Sequence, residues 1–237
     1  MGVWQGQEQY YAIPSNYDPE FTSVISTPGE AAYAKIICLE NNGEDNGTLL
    51  VTYEQFERQE EGLVFPVYRS TDEGKSWEHI SNVPCLEGEK NFKKWQPHIY
   101  ELPTKVGDME AGTILLAGNS FNDRETKFQL YKSNDLGESW EYISTIVTAK
   151  SFGEGVWEPN LIATDDGTLL CFFADETENQ AHSQKLSYRS SKDGVTWSES
   201  VDVVALTDQS KRPGMPSVTR YYDGSYILAY EVVNEAG

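Results

Sequence analysis

The sequence predicts an all-β fold, a β-propeller whose blades are four-stranded antiparallel sheets. Three observations lead to this class. One motif occurs three times, each copy follows two short apolar runs joined by a turn that contains glycine, and no segment of useful length has the apolar period of a helix. Sheet units that repeat at a period near 60 residues are typical of propeller blades.

The repeated motif reads YRSTDEGKSWE from Tyr68, YKSNDLGESWE from Tyr131 and YRSSKDGVTWSE from Tyr188, with starts 63 and then 57 residues apart. The first two copies obey S-x-D-x-G-x-S-W. The third keeps Ser190 and moves its acid to Asp193. In each copy, Asp and Gly favour a tight turn whose backbone N–H groups the carboxylate caps, and the Trp packs beneath it. A fixed period favours this scaffold role over a catalytic Ser–Asp pair. The acids and tryptophans concerned are Asp72, Trp77, Asp135, Trp140, Asp193 and Trp197.

The strand-like runs before each motif complete the units. In chain order they are YAKIICL and TLLVTYE, WQPHIYEL and TILLAGNS, and WEPNLIA and TLLCFFADE, joined around Gly47, Gly112 and Gly167. A fourth unit begins at GMPSVTRYYDGSYILAYE, around Gly224. We therefore expect residues 1–237 to form a single propeller domain of about four blades, incomplete at its C-terminus. The first 30 or so residues could add a closing strand to the ring.

The first strand of each blade lines the central channel of a propeller, so equivalent positions converge there. Alignment on the turn glycine and on P-x-[IVL] predicts two rings of channel residues: Tyr33, Gln96, Glu158 and Met215, then Lys35, His98, Asn160 and Ser217. The residues seven positions after the turn glycine face the same rim: Glu54, Asn119, Ala174 and Glu231.

Two carboxylates are distinctive at this channel mouth. Glu158 enters a channel-lining strand between Trp157 and Pro159, and Glu231 ends the apolar run SYILAYE. Glycoside hydrolysis uses two carboxyl groups, ~5–5.5 Å apart for retention and ~6.5–9.5 Å for inversion, one of which keeps its proton near neutral pH. A lone glutamate at a strand end is usually a solvated charge, but two that converge on one channel favour catalysis.

Composition excludes several classes of function. The chain has 18 Lys and Arg against 38 Asp and Glu, a net charge of −20, which argues against nucleic-acid and anionic membrane partners. No apolar run approaches a membrane span. The histidines and cysteines lack metal spacing, and we expect Cys38 and Cys171 to be buried thiols. We expect neither a metal nor another cofactor.

The repeated motif resembles the Asp-box of sialidase-like propellers. Four further segments, VWEPNLI, LLCFFADE, KRPGMPSV and YILAYE, are similar in content and order to the motif set of glycoside hydrolase family 93, the exo-α-1,5-L-arabinanases. The resemblance covers Tyr33 to Glu231. It implies a six-bladed full fold, release of arabinobiose from the non-reducing end of linear arabinan with retention, and catalytic roles for Glu158 and Glu231. The chain departs from the family at Asn160, where an aromatic or apolar residue is usual.

Other residues are candidates for binding the carbohydrate substrate. Arg212 can clamp a hydroxyl or pair with an acid, and Asp175 and Glu176 can bind hydroxyls or cap a turn. Aromatic and polar side chains of the channel strands can shape subsites or simply pack the blades. The full set is Tyr33, Trp95, His98, Trp157, Asn160, Asp175, Glu176 and Arg212.

Two other functions fit the same fold. A sialidase needs an arginine triad and an R-I-P motif, but the segment YAIPS has Ala12 in place of the arginine. A propeller without catalysis can bind glycan or protein. Whether Glu158 and Glu231 face one pocket distinguishes these possibilities. The sequence contains no signal peptide, and we expect an extracellular location with the leader outside this sequence. A cytoplasmic location and the oligomeric state stay open.

Overall fold

The computed structural model describes residues 25, 30–60, 62–150 and 153–234. The described residues contain fourteen β-strands, one 3-10 turn at Gly43–Asp45 and no α-helix. The strands of the first two blades are β1 Ala31–Cys38, β2 Leu49–Gln55, β3 Phe65–Ser70, β4 Glu78–Val83, β5 Lys93–Glu101, β6 Ile114–Phe121, β7 Thr126–Ser133 and β8 Glu141–Ala149. Those of the remaining two are β9 Val156–Ala163, β10 Leu169–Asp175, β11 Lys185–Ser191, β12 Val201–Ala205, β13 Lys211–Arg220 and β14 Tyr226–Asn234.

These strands form four antiparallel sheets in chain order. Three are four-stranded meanders, β1–β4, β5–β8 and β9–β12, and the fourth contains β13 and β14. The all-β propeller prediction is confirmed at this level, with three whole blades and two strands of a fourth. The segment YAIPS and the proposed closing strand lie outside the described residues. The extent of the domain stays a prediction.

Apolar clusters fill the spaces between successive blades. Leu50 and Phe65 of the first blade pack with Leu116 and Tyr131 of the second. A cluster of Phe128, Leu130, Leu161 and Phe173 joins the second and third blades. Gly118 permits the close approach of the first two blades, because a Cβ there would lie 2.2 Å from a ring carbon of Phe65. The burial of these side chains holds the inner strands around one axis.

The three repeated motifs form the corners between the third and fourth strands of their blades. Asp72 Oδ1 accepts a hydrogen bond of 2.9 Å from the Ser76 N–H, and Asp135 Oδ1 accepts the equivalent bond from Ser139. In the third corner, Asp193 Oδ1 accepts from the Thr196 N–H at 2.7 Å. Gly74, Gly137 and Gly194 have φ values of 82°, 87° and 74°. The carboxylates therefore cap turns, as the motif chemistry predicted.

The tryptophans of two corners also link neighbouring blades. Trp140 Nε1 donates to Ser81 Oγ, and Trp197 Nε1 donates to Ser144 Oγ, each at 3.0 Å. Each serine belongs to the outer strand of the preceding blade and donates in turn to the carbonyl of the corner glycine. These two copies of the repeat thus stabilise both their own turn and the interface with the preceding blade.

Three details differ from the sequence prediction. The hydroxyl that caps the third corner is Ser191, not Ser190, because this turn is one residue shorter and Gly194 N–H bonds to Ser191 Oγ. Cys38 is exposed, while Cys171 is buried as expected. Cys38 instead lines an open pocket together with Tyr100, Ile162 and Val218 of the other blades. Glu231 lies within β14 rather than at its end, since the strand continues to Asn234.

The described part of the chain contains no helix with the length and apolarity of a membrane span.

Candidate active site

The inner strand of every blade has an irregularity at the same position. The ladder shifts register between Ala32 and Lys35, and at the equivalent places in β5, β9 and β13. At each shift, one non-glycine residue has a left-handed backbone: Tyr33, Gln96, Glu158 and Met215, with φ values of 50°, 55°, 64° and 53°. These are the four residues that sequence alignment assigned to the first channel ring. Left-handed backbone is costly for such residues and persists only where the surroundings hold it.

Side chains of neighbouring blades hold these bulges. Glu54 Oε2 accepts a hydrogen bond from Gln96 N–H at 3.0 Å, and Gln96 Oε1 accepts one from Glu158 N–H at 3.1 Å. Glu158 Oε2 accepts one from Met215 N–H at 2.6 Å. The Gln96 side chain also bonds to the Tyr33 hydroxyl. A continuous set of bonds therefore runs around the channel from the first blade to the fourth.

A cavity of about 140 Å³ opens over these bulges. It is lined by Tyr33, Lys35, Gln96, Glu158, Met215 and Ser217, together with the prolines that follow three of the bulges. Six of the eight residues predicted for the two channel rings therefore meet at one site. The other two, His98 and Asn160, lie below it.

Glu231 approaches the same site from β14. A Cβ built on Gly214 would lie 3.5 Å from Glu158 Oε2 and 3.6 Å from Glu231 Oε1. Those two oxygens therefore cannot be further apart than the sum of the two distances, about 7 Å, which is compatible with the spacing of a catalytic carboxyl pair. Because Gly214 has no side chain, the space next to the carboxylates of Glu158 and Glu231 is open, and any other residue at this position would occupy part of it.

The electrostatic environment of Glu158 favours its protonated form. Burial raises the pKa of the carboxyl, and the negative charges of Glu231 and Glu176 raise it further. The hydrogen bond from Met215 and the positive charge of Arg212 act in the opposite direction on this pKa. The net shift is upward, as general acid catalysis near neutral pH requires.

Arg212, Glu176 and Trp157 form a connected group beside the carboxyl pair. Arg212 Nη2 donates to Glu176 Oε1 at 2.8 Å, and Glu176 Oε2 accepts from Trp157 Nε1 at 2.8 Å. Arg212 is partly exposed, whereas Trp157 is only 6 % exposed and packs with Phe121 and Trp95. The observed contacts of Trp157 are thus those of a core residue that orients Glu176.

The two polar residues below the cavity join blades. His98 Nδ1 accepts from the Leu161 N–H at 3.2 Å, and its Nε2 lies 3.1 Å from Asn160 Nδ2. Asn160 Oδ1 accepts from Val218 N–H at 3.2 Å. Burial lowers the pKa of His98 to about 3, so its ring is neutral at physiological pH. The arrangement ties the second, third and fourth blades together beneath the carboxyl pair.

Asp175 is the candidate that lies furthest from this chemistry. Its Oδ1 accepts from the N–H and hydroxyl of Thr177, and its Oδ2 accepts from the hydroxyl of Ser187. The side chain is buried and caps the turn that follows β10.

Among the described residues, no group of three or more His, Cys, Asp or Glu side chains is arranged to hold a metal ion.

Sequence analysis did not assign a role to three residues of this site. Glu54 is buried behind Gln96, and burial raises its pKa to about 7. Gln184 Nε2 donates to Pro213 O at 2.6 Å and lies beside Gly214. The counting rule placed Glu54 at the rim, and Gly214 lies within the motif KRPGMPSV, but no pattern marks Gln184 in the sequence.

Comparison with known proteins identifies similar structures. No protein-family model and no curated protein matches the chain. Among solved structures, an α-L-arabinanase from Penicillium chrysogenum complexed with arabinobiose is 34 % identical, with a TM-score of 0.77, over 85 % of this chain and 57 % of that one. The glycoside hydrolase family 93 α-L-arabinofuranosidase of Fusarium graminearum, also with arabinobiose, is 33 % identical, with a TM-score of 0.77, over 92 % of this chain and 58 % of that one.

This chain thus spans less than two thirds of the length of either enzyme. The identity nevertheless exceeds 30 % over most of this chain. The chain forms a propeller like that of the glycoside hydrolase family 93 enzymes, to which it is similar over most of its own length.

Proposed function

We propose that this chain carries the catalytic centre of a retaining, exo-acting α-L-arabinanase, with Glu158 and Glu231 as the catalytic residues. One observation carries the proposal: both carboxylates approach the open space at Gly214, within about 7 Å of each other. The bound of about 7 Å admits the ~5–5.5 Å separation of retaining glycosidases. The two arabinobiose-bound relatives support arabinan as the substrate class.

In this mechanism, Glu231 attacks the anomeric carbon while Glu158 donates a proton to the leaving oxygen. Glu158 then removes a proton from the water that releases the sugar. The assignment follows from the raised pKa of Glu158, since a general acid must keep its proton until the bond breaks. Arg212 stabilises the ionised states of the pair and contacts substrate hydroxyls.

The cavity matches the size of one sugar residue. Its volume of about 140 Å³ is close to the ~150 Å³ of a cavity that binds one benzene ring, and is therefore of the right order for a single sugar ring. Further subsites would therefore lie above the cavity, where Tyr33 is exposed. Such an arrangement fits an enzyme that works from a chain end.

Two alternatives are outcomes of the test. A sialidase would need cationic side chains to bind the carboxylate of its substrate. The segment YAIPS, where the sialidase arginine motif would lie, is outside the described residues. A binding propeller without catalysis would not need two carboxyl groups that converge on one space. The approach of Glu158 and Glu231 to one glycine favours the hydrolase.

The test is hydrolysis of linear α-1,5-arabinan and of a p-nitrophenyl sialoside by the chain, Glu158→Gln and Glu231→Gln. We expect arabinobiose as the product and a loss of at least ~10²–10⁴-fold in kcat for each variant. Asp175→Asn serves as the matched control, since that buried acid caps a turn outside the pair. Early product analysis by proton NMR reports whether the anomeric configuration is retained.

The two roles are separated with an aryl arabinobioside that has a good leaving group. Azide should rescue Glu158→Ala and form a product of retained configuration, because the covalent intermediate still forms. Azide should instead yield an inverted product with Glu231→Ala. The reverse pattern would exchange the two roles, and hydrolysis that survives both substitutions would reject the proposal.

A further inference from the structure

The channel contains a buried carboxyl group, in addition to the proposed catalytic pair, that the proposed reaction does not use. Glu54 lies near the end of β2, opposite Ala32 in the ladder, and is only 2 % exposed. Its Oε2 accepts the N–H of Gln96 at 3.0 Å. A side chain this deeply buried does not reach a substrate in the cavity, so its function must act through another residue.

That residue is Gln96. Its backbone N–H is held by Glu54, and its own side chain holds two groups at the cavity: the N–H of Glu158 at 3.1 Å and the hydroxyl of Tyr33. Glu158 in turn holds the N–H of Met215. These hydrogen bonds lie in series from Glu54 through Gln96 to Glu158. Glu54 therefore restrains the first residue of a series that reaches the carboxyl pair.

The backbone geometry shows why an anchor is needed. Gln96 and Glu158 both have left-handed φ values, 55° and 64°, which are unfavourable for residues with a Cβ. Such conformations are kept only when hydrogen bonds and packing determine them. Without Glu54, the N–H of Gln96 would be buried without this acceptor, and the bulge that aims its side chain would lose its restraint.

We propose that Glu54 is a positioning residue that, through Gln96, holds Glu158 in its reactive orientation. This inference rests on the proposed function. It means that a residue of the first blade supports, through Gln96, the carboxyl pair that the third and fourth blades carry. The completeness of the bond series from β2 to β13, rather than any single contact, carries the proposal.

The test compares two substitutions at one position. Glu54→Gln keeps an oxygen that accepts the Gln96 N–H, whereas Glu54→Leu removes it. We expect Glu54→Leu to lower kcat by at least about tenfold with KM changed by less than about twofold, because substrate contacts are intact. Glu54→Gln should restore kcat to within about threefold of the parent.

Glu101 provides the matched control. It is also a buried glutamate between the first two blades, and it accepts backbone N–H groups of Glu40 and Asn41 at 2.8 and 2.9 Å. No bond of Glu101 leads to Glu158. Glu101→Leu should lower the thermal midpoint and leave kcat unchanged. A loss of kcat equal to that of Glu54→Leu would assign both effects to general destabilisation and overturn the proposal.

A second readout is independent of activity. With ¹³C-labelled glutamate, the Glu158 carboxyl signal is identified by its loss in Glu158→Gln and followed by NMR as a function of pH. Glu54→Leu should move its midpoint by at least about half a pH unit toward the ordinary value, and Glu54→Gln should not. Gln96→Met, which removes the next bond in the series, should have the same effect and covers the case in which Glu54→Leu does not fold.

The outcomes separate the two hypotheses. If the parent chain hydrolyses no arabinan but the Glu158 midpoint moves in Glu54→Leu or Gln96→Met, the proposed function fails and the positioning role stands. If the folded variants leave both kcat and the Glu158 midpoint unchanged, the positioning role is wrong even where the parent is active.

Discussion

At the residue scale, the chemistry depends on a few side chains placed by strained backbone. Glu158 combines a left-handed φ of 64° with a buried carboxyl, and the unusual backbone directs that carboxyl toward Gly214. Residues held in sparsely populated conformations cluster at functional sites because the fold must supply the energy that retains them. The same left-handed backbone occurs at Tyr33, Gln96 and Met215, so each described blade repeats this feature, and the proposed catalytic role falls on one of the four residues.

Gly214 provides a sharp test at this scale. Gly214→Ala would add a methyl group 3.5 and 3.6 Å from the two carboxylate oxygens and 3.2 Å from Gln184 Nε2. We expect kcat/KM for arabinan to fall at least about tenfold, because the methyl occupies space needed by the substrate, with a change below ~1 kcal/mol in the free energy of unfolding. Steady-state kinetics and urea titration measure the two effects. Full activity in the folded variant would show that the substrate does not enter between the carboxylates.

The raised pKa of Glu54 predicts a pH-dependent stability. Burial raises this pKa from 4.5 to about 7, so the folded state binds a proton that the unfolded state releases at lower pH. The contribution of Glu54 is therefore most favourable below pH 4.5 and is lost as the pH rises to about 7. Relative to the parent, Glu54→Gln should gain up to about 3 kcal/mol in free energy of unfolding across this window. Parallel urea titrations from pH 4.5 to 8 measure the difference, and a constant difference would contradict the expectation.

At the element scale, each blade is joined to the next by equivalent polar links. Ser81 and Ser144 occupy matching positions on β4 and β8, and each contacts the glycine and tryptophan of the following corner. The inner strands are joined in the same direction by Glu54, Gln96 and Glu158. Outer and inner links together orient the blades, while the apolar clusters supply most of the burial.

A serine substitution tests the outer link. Ser144→Ala removes an acceptor from Trp197 Nε1 and a donor from the Gly194 carbonyl in a buried interface. We expect a loss of about 1–3 kcal/mol in free energy of unfolding, since both partners are left unsatisfied. Ser200→Ala, on an exposed serine of the third blade, which also carries Trp197, should change it by less than ~0.5 kcal/mol. Equal effects of the two substitutions in urea titrations would contradict a specific interblade role for Ser144.

At the scale of the whole molecule, the charge is strongly unbalanced. A net charge of −20 on 237 residues makes self-repulsion a destabilising term that salt screens. We expect the thermal midpoint at pH 7.5 to rise by a few degrees between about 10 and 200 mM NaCl, over which the Debye length falls from ~30 Å to below 10 Å. The control is the same titration near pH 4.4, the isoelectric point, where the effect should nearly vanish. A salt effect of equal size at both pH values would exclude self-repulsion as its cause.

Several features were predictable from the sequence for local reasons. The corner motif, the glycine turns and the paired apolar runs depend on φ preferences, side-chain caps and the two-residue period of a strand, which act between near neighbours. Because the blades repeat, counting from the turn glycines also identified the channel ring that carries Glu158, and the rim positions that include Glu54 and Glu231.

Other features depend on contacts between blades, which no local pattern encodes. The left-handed backbone of Glu158 is held by Gln96, 62 positions away in the chain. Trp157 became a core residue because Phe121 and Trp95 of the second blade cover it. The approach of Glu231 to Glu158 at Gly214 arises because β13 packs beside β9 and β10 and pairs with β14, which carries Glu231. The repeating β-blades and the candidates for chemistry follow from local patterns of the sequence. Which carboxyl groups meet depends on the packing of neighbouring blades, because that packing sets distance, burial and strain at the channel.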